Sequence, residues 1–401
     1  DTLRLIDAFR SKGLYVGSVT ITQYAGQPAA DAFRRRLEEL GVPVYLHYPI
    51  AGYPHNVSLI VSDEGYGKND YIKTSRPLVV VTGPGPGSGK MAVCLSQIYH
   101  EYRRGIQAGY AKFETFPIWN LPLQHPVNLA YEAATADLND VNMIDPFHLS
   151  AYGETTVNYN RDVEIFPVLS SMFEKITGSC PYKSPTDMGV NMAGNCIFDD
   201  EVVCAAARQE IIRRYYTALC ERRQGKCGDE VVYKLELLMQ QGRVDPSMRP
   251  VIAAADAVAA ETGGPAAAIQ LPDGTVVTGK TTTLMGASSS TLLNALKALA
   301  GIPHEKHLIS PQAIEPIQLV KVANLGSVNP RLHSDEILIA LAISAATDPL
   351  AKQALDCLGR LRECEAHSTV ILTQADANTY AKLGLHLTCT PQYQTNKLFH
   401  G

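Results

Sequence analysis

Leu78-Val79-Val80-Val81-Thr82-Gly83-Pro84-Gly85-Pro86-Gly87-Ser88-Gly89-Lys90 is the stretch that decides how this chain reads. It opens with four apolar residues, continues as glycine and proline, and is followed from Met91 to Tyr102 by a helix-compatible segment. Strand, glycine loop and helix in that order form a phosphate cradle. The first turn of a helix leaves N–H groups unpaired and carries partial positive charge, and glycine lets an anion come close to the backbone. Gly85, Gly87, Ser88 and Gly89 are therefore expected to bind phosphate through backbone N–H groups, with Lys90 as a point charge on the outer oxygens. Two positions depart from the full P-loop pattern. Pro84 stands where the first glycine belongs, five before Gly89, and Met91 stands where a Ser or Thr would hold magnesium. The dinucleotide pattern fails as well, because Ser88 or Lys90 occupies the place of the third glycine. The alternative reading is a tight turn that packs strand against helix.

Upstream, strand and helix patterns alternate: Leu14 to Ile21, Pro43 to Tyr48 and Val57 to Ser62 read as strands, and Asp31 to Leu40 as a helix. Such alternation implies an α/β fold with a mostly parallel three-layer sheet, whose ligands bind beyond the carboxyl ends of the strands. Leu59-Ile60-Val61-Ser62-Asp63-Glu64 resembles an apolar strand closing in acid, which makes Asp63 a candidate metal-water ligand beside Lys90, or else a turn residue before Gly65 and Gly67.

Downstream, no lysine or arginine occurs between Lys112 and Arg161, whereas Glu114, Glu132, Asp137, Asp140, Asp145 and Glu154 do. Asp137 and Asp140 share a face if the helix that begins near Pro126 reaches them, and a hard divalent ion such as magnesium fits that pair; solvated carboxylates are the plainer reading. The same stretch carries Trp119, Asn120, Asn128, Asn139, Asn142 and His148, a mixture suited to a small-molecule pocket. Two other motifs are near misses. Gly274 to Thr281 fits the formal P-loop expression, but Pro272-Asp273-Gly274 is turn chemistry between two short apolar or β-branched runs, so a hairpin is expected. His304 and His307 are three apart, not four, and follow the helix-ending Gly301-Ile302-Pro303.

Asp199 to Gly263 reads as helical, with acid at the start of its first helix and Arg222-Arg223 at the end. The last part reads as a second α/β unit, with Arg331, His333 and His367 near element ends, where capping roles are commonest. Three parts follow: residues 1–185 with the glycine loop, 186–263 helical, and 264–401 beginning with the hairpin.

The chain has 401 residues and a formal net charge of −5, which argues against nonspecific nucleic-acid binding, since that relies on clustered Lys and Arg. No apolar run is long enough to span a bilayer. Nine cysteines without a repeated spacing read as reduced core thiols of a cytosolic protein; Cys364-x-x-His367 lacks a second ligand pair for zinc.

The stretches SDEGYGKNDYI, TGPGPGSGK, AGYAKFETFPIWNLPL, YEAATADLNDVNMIDPFHL, NYNRDVEIFPVL, SPTDMGVNMAG, NPRLHSDE and CEAHSTVIL resemble the bacterial family known as domain of unknown function 1846, or uncharacterised protein family 0371. The likeness covers nearly the whole chain. It implies an α/β glycine-loop region, a helical middle and an α/β C-terminal part, with family chains beginning upstream of Asp1. Some members carry an ATP-dependent peptidase label, yet no Ser–His, Cys–His or zinc-protease setting stands out here. Three functions remain open at this level: an enzyme acting on a nucleotide or phosphorylated metabolite with magnesium, a non-catalytic sensor for a phosphate-bearing small molecule, and a nucleotide-independent enzyme around Trp119 and His148. A homo-oligomer is compatible with each.

Overall fold

A computed structural model describes residues 2–85, 87–113, 117–191 and 193–394. Pro86 of the glycine loop and Glu114 of the acidic stretch lie outside them. The chain divides into two compact units, one formed by residues 1–122 with 141–196, the other by 123–140 with 197–401.

The first unit contains helices α1 (Thr2–Ser11), α2 (Pro28–Glu39), α3 (Val57–Ile60), α4 (Lys90–Arg103), α6 (Pro146–Tyr152), α7 (Asn160–Thr177) and α8 (Pro185–Met188). Its strands form three small pairs. β1 (Val19–Ile21) and β2 (Val44–Leu46) are parallel, β3 (Lys112–Phe113) and β6 (Gly189–Val190) are parallel, and β4 (Asn142–Ile144) and β5 (Val157–Tyr159) are antiparallel. The mixed α/β character expected from the alternation is present, but among the described residues of this unit the strands form only these two-stranded pairs and not a three-layer parallel sheet. Two expected strands are absent. Val57–Ile60 is a short helix capped by the Asn56 side chain. Residues 78–81 take no ladder partner, because β1 and β2 pair only with each other among the described residues, and Leu78, Val79 and Val80 stand exposed. Apolar β-prone residues make a strand only when a neighbouring edge accepts their backbone groups.

The core of this unit fixes the glycine-loop helix. Leu95, Ile98 and Tyr99 of α4 pack with Phe166, Leu169, Met172, Phe173 and Ile176 of α7 and with Ile60 and Tyr66. Each such side chain contributes about 1.5–3 kcal/mol by leaving water. The later turns of α4 are thereby anchored, and its first turn is left to meet the ends of β1 and β2.

The second unit contains α5 (Pro126–Ala134), α9 (Asp200–Arg223), α10 (Asp229–Gly242), α11 (Pro250–Thr262), α12 (Ala287–Leu299), α13 (Pro311–Leu319), α14 (Ser334–Ser344), α15 (Pro349–Asp356) and α16 (Gln374–Lys382). Leu129 and Ala133 of α5, Ile211 and Ile212 of α9, and Val232, Leu235 and Leu238 of α10 share one core. A four-stranded sheet follows the order β10 (His386–Cys389), β9 (Glu365–Ser368), β7 (Ala266–Gln270), β8 (Val276–Lys280). β9 and β10 are parallel, and β7 is antiparallel to both its neighbours. The second P-loop-like motif lies in the β7–β8 hairpin, where Ile269 faces Val277 and the Asp273 side chain accepts from Thr275 N–H at 3.0 Å to close the turn. Its residues run along a strand and cannot wrap a phosphate.

Candidate functional site

The glycine loop ends in a helix N-terminus, as the sequence requires, and two contacts show why glycine is needed there. A Cβ on Gly83 would lie 2.4 Å from Ser88 Oγ. Gly89 is left-handed, with φ of 83°, and a Cβ on it would meet Thr22 Cγ2 at 3.0 Å. Gly89 thus lets α4 start directly against the end of β1, where Thr22 Oγ1 donates to Ser88 O at 3.3 Å.

Beside this junction lies a small cleft, lined by Thr22 and Gln23 after β1, His47 and Tyr48 after β2, Tyr53, Asn69, and Gly89 and Ala92 of the loop and helix. It opens at the carboxyl ends of two parallel strands, the position at which α/β sheets bind ligands. The walls are held from behind. Asn69 accepts from Tyr48 N–H at 2.9 Å and donates to Ser96 Oγ of α4 at 3.0 Å. His47 N–H bonds Ile21 O and Tyr24 N–H bonds His47 O, extending the β1–β2 ladder to the rim. Nε2–H of His47 donates to Asp70 O at 3.2 Å, which leaves Nδ1 as the lone-pair nitrogen. Burial pushes the His47 pKa below its ordinary value, so the ring is neutral near pH 7. Burial likewise raises the Tyr53 phenol. Gln23 has φ of 54°, an uncommon backbone state for a side-chain-bearing residue, of the kind that clusters at ligand sites.

At the mouth of α4, the N–H groups of Ser88, Gly89, Lys90, Met91 and Ala92 donate to no acceptor among the described residues; the first bond of the helix runs from Val93 N–H to Gly89 O. Lys90 Nζ donates to Gly85 O at 2.8 Å and to Ser88 Oγ at 3.3 Å, and Ser88 Oγ donates to Gly85 O at 2.8 Å. The lysine therefore folds back on its own loop. Met91 packs against the core shared by α4 and α7. The position that holds the magnesium hydroxyl in a P-loop is turned inward here, which accounts for its apolar residue.

The other sequence candidates do not join this cleft. Asp63 follows α3 in a turn, with Gly65 and Gly67 N–H both bonded to Ser62 O, and its carboxylate accepts from Tyr99 Oη at 2.9 Å and pairs with Arg103. Those partners lie nine and thirteen residues along α4 from Lys90, about 14 and 20 Å by helical rise. Of the two readings of Asp63, the structure has it in a turn and paired toward the far end of the helix from Lys90. Asp137 and Asp140 do not share a helical face. α5 stops at Ala134, a single 3-10 turn follows, and left-handed Asn139, with φ of 55°, turns the chain so that Asp137 is exposed and Asp140 buried, its carbonyl accepting from Lys234 Nζ at 2.7 Å. Both lie in the second unit, whereas the loop lies in the first. His148 bonds Ser184 Oγ at 2.9 Å, and the fully buried Asp145 caps α6 by accepting from Phe147 and His148 N–H, which is structural work. His304 and His307 lie outside any helix.

Sequence reading missed the cleft walls Thr22, Gln23, His47, Tyr48, Tyr53 and Asn69. A usable signal was present: Thr22-Gln23-Tyr24 and His47-Tyr48 are polar and aromatic residues placed directly after apolar strand segments.

No helix of the described residues is long and apolar enough to cross a membrane. The family description "Domain of unknown function DUF1846, N-terminal" matches residues 1–243, and its C-terminal counterpart matches residues 247–399. Similar proteins include the "UPF0371 protein" of Streptococcus pneumoniae serotype 19F strain G54 and that of serotype 2 strain D39, each 60% identical over 399 residues, covering 100% of this chain and 81% of the relative. The "UPF0371 protein" of serotype 4 strain TIGR4 is 59% identical over the same span. With both halves of the description matched almost end to end, this chain belongs to the DUF1846 family.

Proposed function

We propose that the cleft at the Gly83–Lys90 loop binds a phosphate-bearing small molecule, a phosphorylated metabolite or a mononucleotide, and holds it without transferring the phosphoryl group. The observation that carries this reading is the set of acceptor-free N–H groups at the mouth of α4, opening beside a tyrosine-walled cleft at the ends of two parallel strands. Such a helix start favours an anion by charge and by hydrogen bonding together. Tyr48 and Tyr53 offer apolar faces to the rest of the ligand. Holding is preferred to transfer because phosphoryl transfer relies on positioned metal and charge. In this loop the metal-hydroxyl position is the core-facing Met91, and Asp63 is paired elsewhere.

The test is titration calorimetry of the whole chain with inorganic phosphate and with a series of phosphorylated metabolites and mononucleotides, each beside its dephosphorylated form. Phosphorylated compounds are expected to bind and their dephosphorylated forms not. Lys90→Ala is expected to weaken binding about 10- to 150-fold, the worth of a charged hydrogen bond. Equal affinity for the two forms, or unaltered affinity in Lys90→Ala, overturns the reading.

A further inference from the structure

Outside the cleft, one group of side chains in the second unit converges without serving the core. His125 precedes α5, and Asp200 and Cys204 stand one turn apart at the start of α9. His125 Nε2 lies 2.9 Å from Asp200 Oδ1 and 3.6 Å from Cys204 Sγ, and Cys204 Sγ lies 3.6 Å from Asp200 Oδ2. Among the described residues, this is the group of three His, Cys, Asp or Glu side chains whose ligand atoms all fall within 4.8 Å of one another.

The geometry can be compared with two chemistries. A Cys–His–Asp nucleophile needs the acid on one ring nitrogen and the thiol on the other, so that the acid orients the base. Here thiol and carboxylate approach the same nitrogen, Nε2, while Nδ1 accepts from Val127 N–H at 3.2 Å. Convergence of three donors on one point is instead the arrangement of a metal site. For tetrahedral zinc with bonds of about 2.0 Å to N and O and about 2.3 Å to S, the ligand-to-ligand edges are about 3.3 Å for N···O and about 3.5 Å to sulfur. The N···O and N···S separations lie within about 0.4 Å of those edges, and the carboxylate reaches the thiol through its other oxygen, so a small turn of the exposed Asp200 side chain brings one oxygen to both. Thiolate, imidazole and carboxylate together suit a borderline-soft dication, and three protein ligands leave a fourth position for water. His125 and Cys204 are nearly buried while Asp200 is about two-thirds exposed, which gives an ion a way in from solvent.

We propose that His125, Asp200 and Cys204 form a zinc site with one open coordination position. Ligation through Nε2 places the ring proton on Nδ1 and displaces the bond from Val127 N–H. That amide is in the first turn of α5, and losing its cap costs about tenfold in affinity. α5 and α9 belong to one core, with Leu129 and Ala133 packed against Ile211 and Ile212, so the ligands are presented from two braced helices.

The experiment uses the full chain, stripped with a chelator and titrated with Co2+ as a spectroscopic stand-in for zinc, followed by competition with Zn2+ and elemental analysis after dialysis. One equivalent per chain is expected, with a thiolate-to-cobalt charge-transfer band and visible bands of four-coordinate intensity. Cys204→Ser is expected to abolish the charge-transfer band. Asp200→Asn, at an exposed position that leaves the core intact, is expected to weaken binding more than the 10- to 100-fold typical of an outer-sphere partner. Circular dichroism of both variants separates loss of the site from loss of the fold. Absence of stoichiometric uptake by the folded chain, or a charge-transfer band that persists in Cys204→Ser, overturns the proposal.

Discussion

Gly89→Ala isolates the physics of the loop. The residue has φ of 83°, where a Cβ costs about 1–2 kcal/mol, and the added methyl would lie 3.0 Å from Thr22 Cγ2 and 3.3 Å from Thr22 Cβ. α4 cannot slide away, because Leu95, Ile98 and Tyr99 are locked in the core with α7. Steric crowding in a fixed site adds about 1 kcal/mol, for a total loss of about 2–3 kcal/mol. Gly85→Ala is the internal control. That residue has no positive φ and nothing within 4 Å of an added Cβ, so its effect should stay within about 0.5 kcal/mol. Denaturant unfolding followed by the fluorescence of Trp119, the single tryptophan and a member of the first unit, reads this part of the molecule. Combining Gly89→Ala with Thr22→Ser removes the 3.0 Å contact but not the backbone strain, and should recover about 0.5–1 kcal/mol. Equal losses for Gly85→Ala and Gly89→Ala, or no recovery with Thr22→Ser, would refute the reasoning.

Ser88→Ala and Lys90→Ala should be non-additive for phosphate affinity, because both side chains meet at Gly85 O; calorimetry showing strictly additive losses would place Ser88 on the ligand instead. Asp63→Asn should leave phosphate affinity unchanged in the same assay, since Asp63 pairs with Tyr99 and Arg103. Arg249 is fully buried, paired with Glu365 and donating to Ala366 O at 2.9 Å and Thr388 Oγ1 at 3.1 Å. Arg249→Met should cost about 3 kcal/mol in urea unfolding, the lower end of the range for a broken buried pair, because Glu365 keeps Arg213 at 2.7 Å. Buried Asp376 is held down to about 2 despite the opposing effect of burial, by bonds from His333, Ser334 and Thr373. Its contribution, about 2 kcal/mol, is fully present above the ordinary carboxylate pKa near 4 and is lost as pH falls through about 2; unfolding of Asp376→Asn should lack that slope.

Local chemistry was legible in the sequence and pairing was not. The helical stretch from Asp199 onward reads correctly because its signals are local: Asp199 caps α9, and Arg222 and Arg223 close it. The β7–β8 turn was legible for the same reason, since Asp273 and Gly274 specify it within a few residues. Residues 78–81 have the composition of a strand, yet strand formation depends on an edge elsewhere in the chain, and composition carries no information about that edge. Val57–Ile60 shows the converse: four residues, three of them apolar, are too few for periodicity to separate helix from strand, and the Asn56 cap decides. Between Ser334 and Asp356 the helical run is divided into α14 and α15 by a local signal, with Asp348 capping and Pro349 opening the second. At the candidate site, the turn from the glycine loop into α4 was legible because its signals are contiguous. The cleft walls come from three separate segments whose meeting depends on the β1–β2 register, and His125, Asp200 and Cys204 are joined only by the packing of α5 on α9.

The position of Lys90 links the loop's departures from the P-loop pattern to its proposed role. Its ammonium rests on a carbonyl, Gly85 O, and a hydroxyl, Ser88 Oγ, which are neutral partners. A phosphate oxygen is a stronger one, because a bond between two ionised groups is about twice as strong as one between neutral groups. Moving Nζ from Gly85 O to a ligand leaves that carbonyl still bonded by Ser88 Oγ, so the exchange strands no polar group. On the proposed reading, the loop closes on itself when empty and releases Lys90 to an anion at small cost. Met91, one residue on, has no such freedom, since it packs in the core that anchors α4. The same seating of the helix that turns Gly89 and Ala92 toward the cleft sets position 91 against that core. A hydroxyl installed there would stand against apolar neighbours. The proposed anion binding and the apolar residue at the metal position both follow from how one helix is seated.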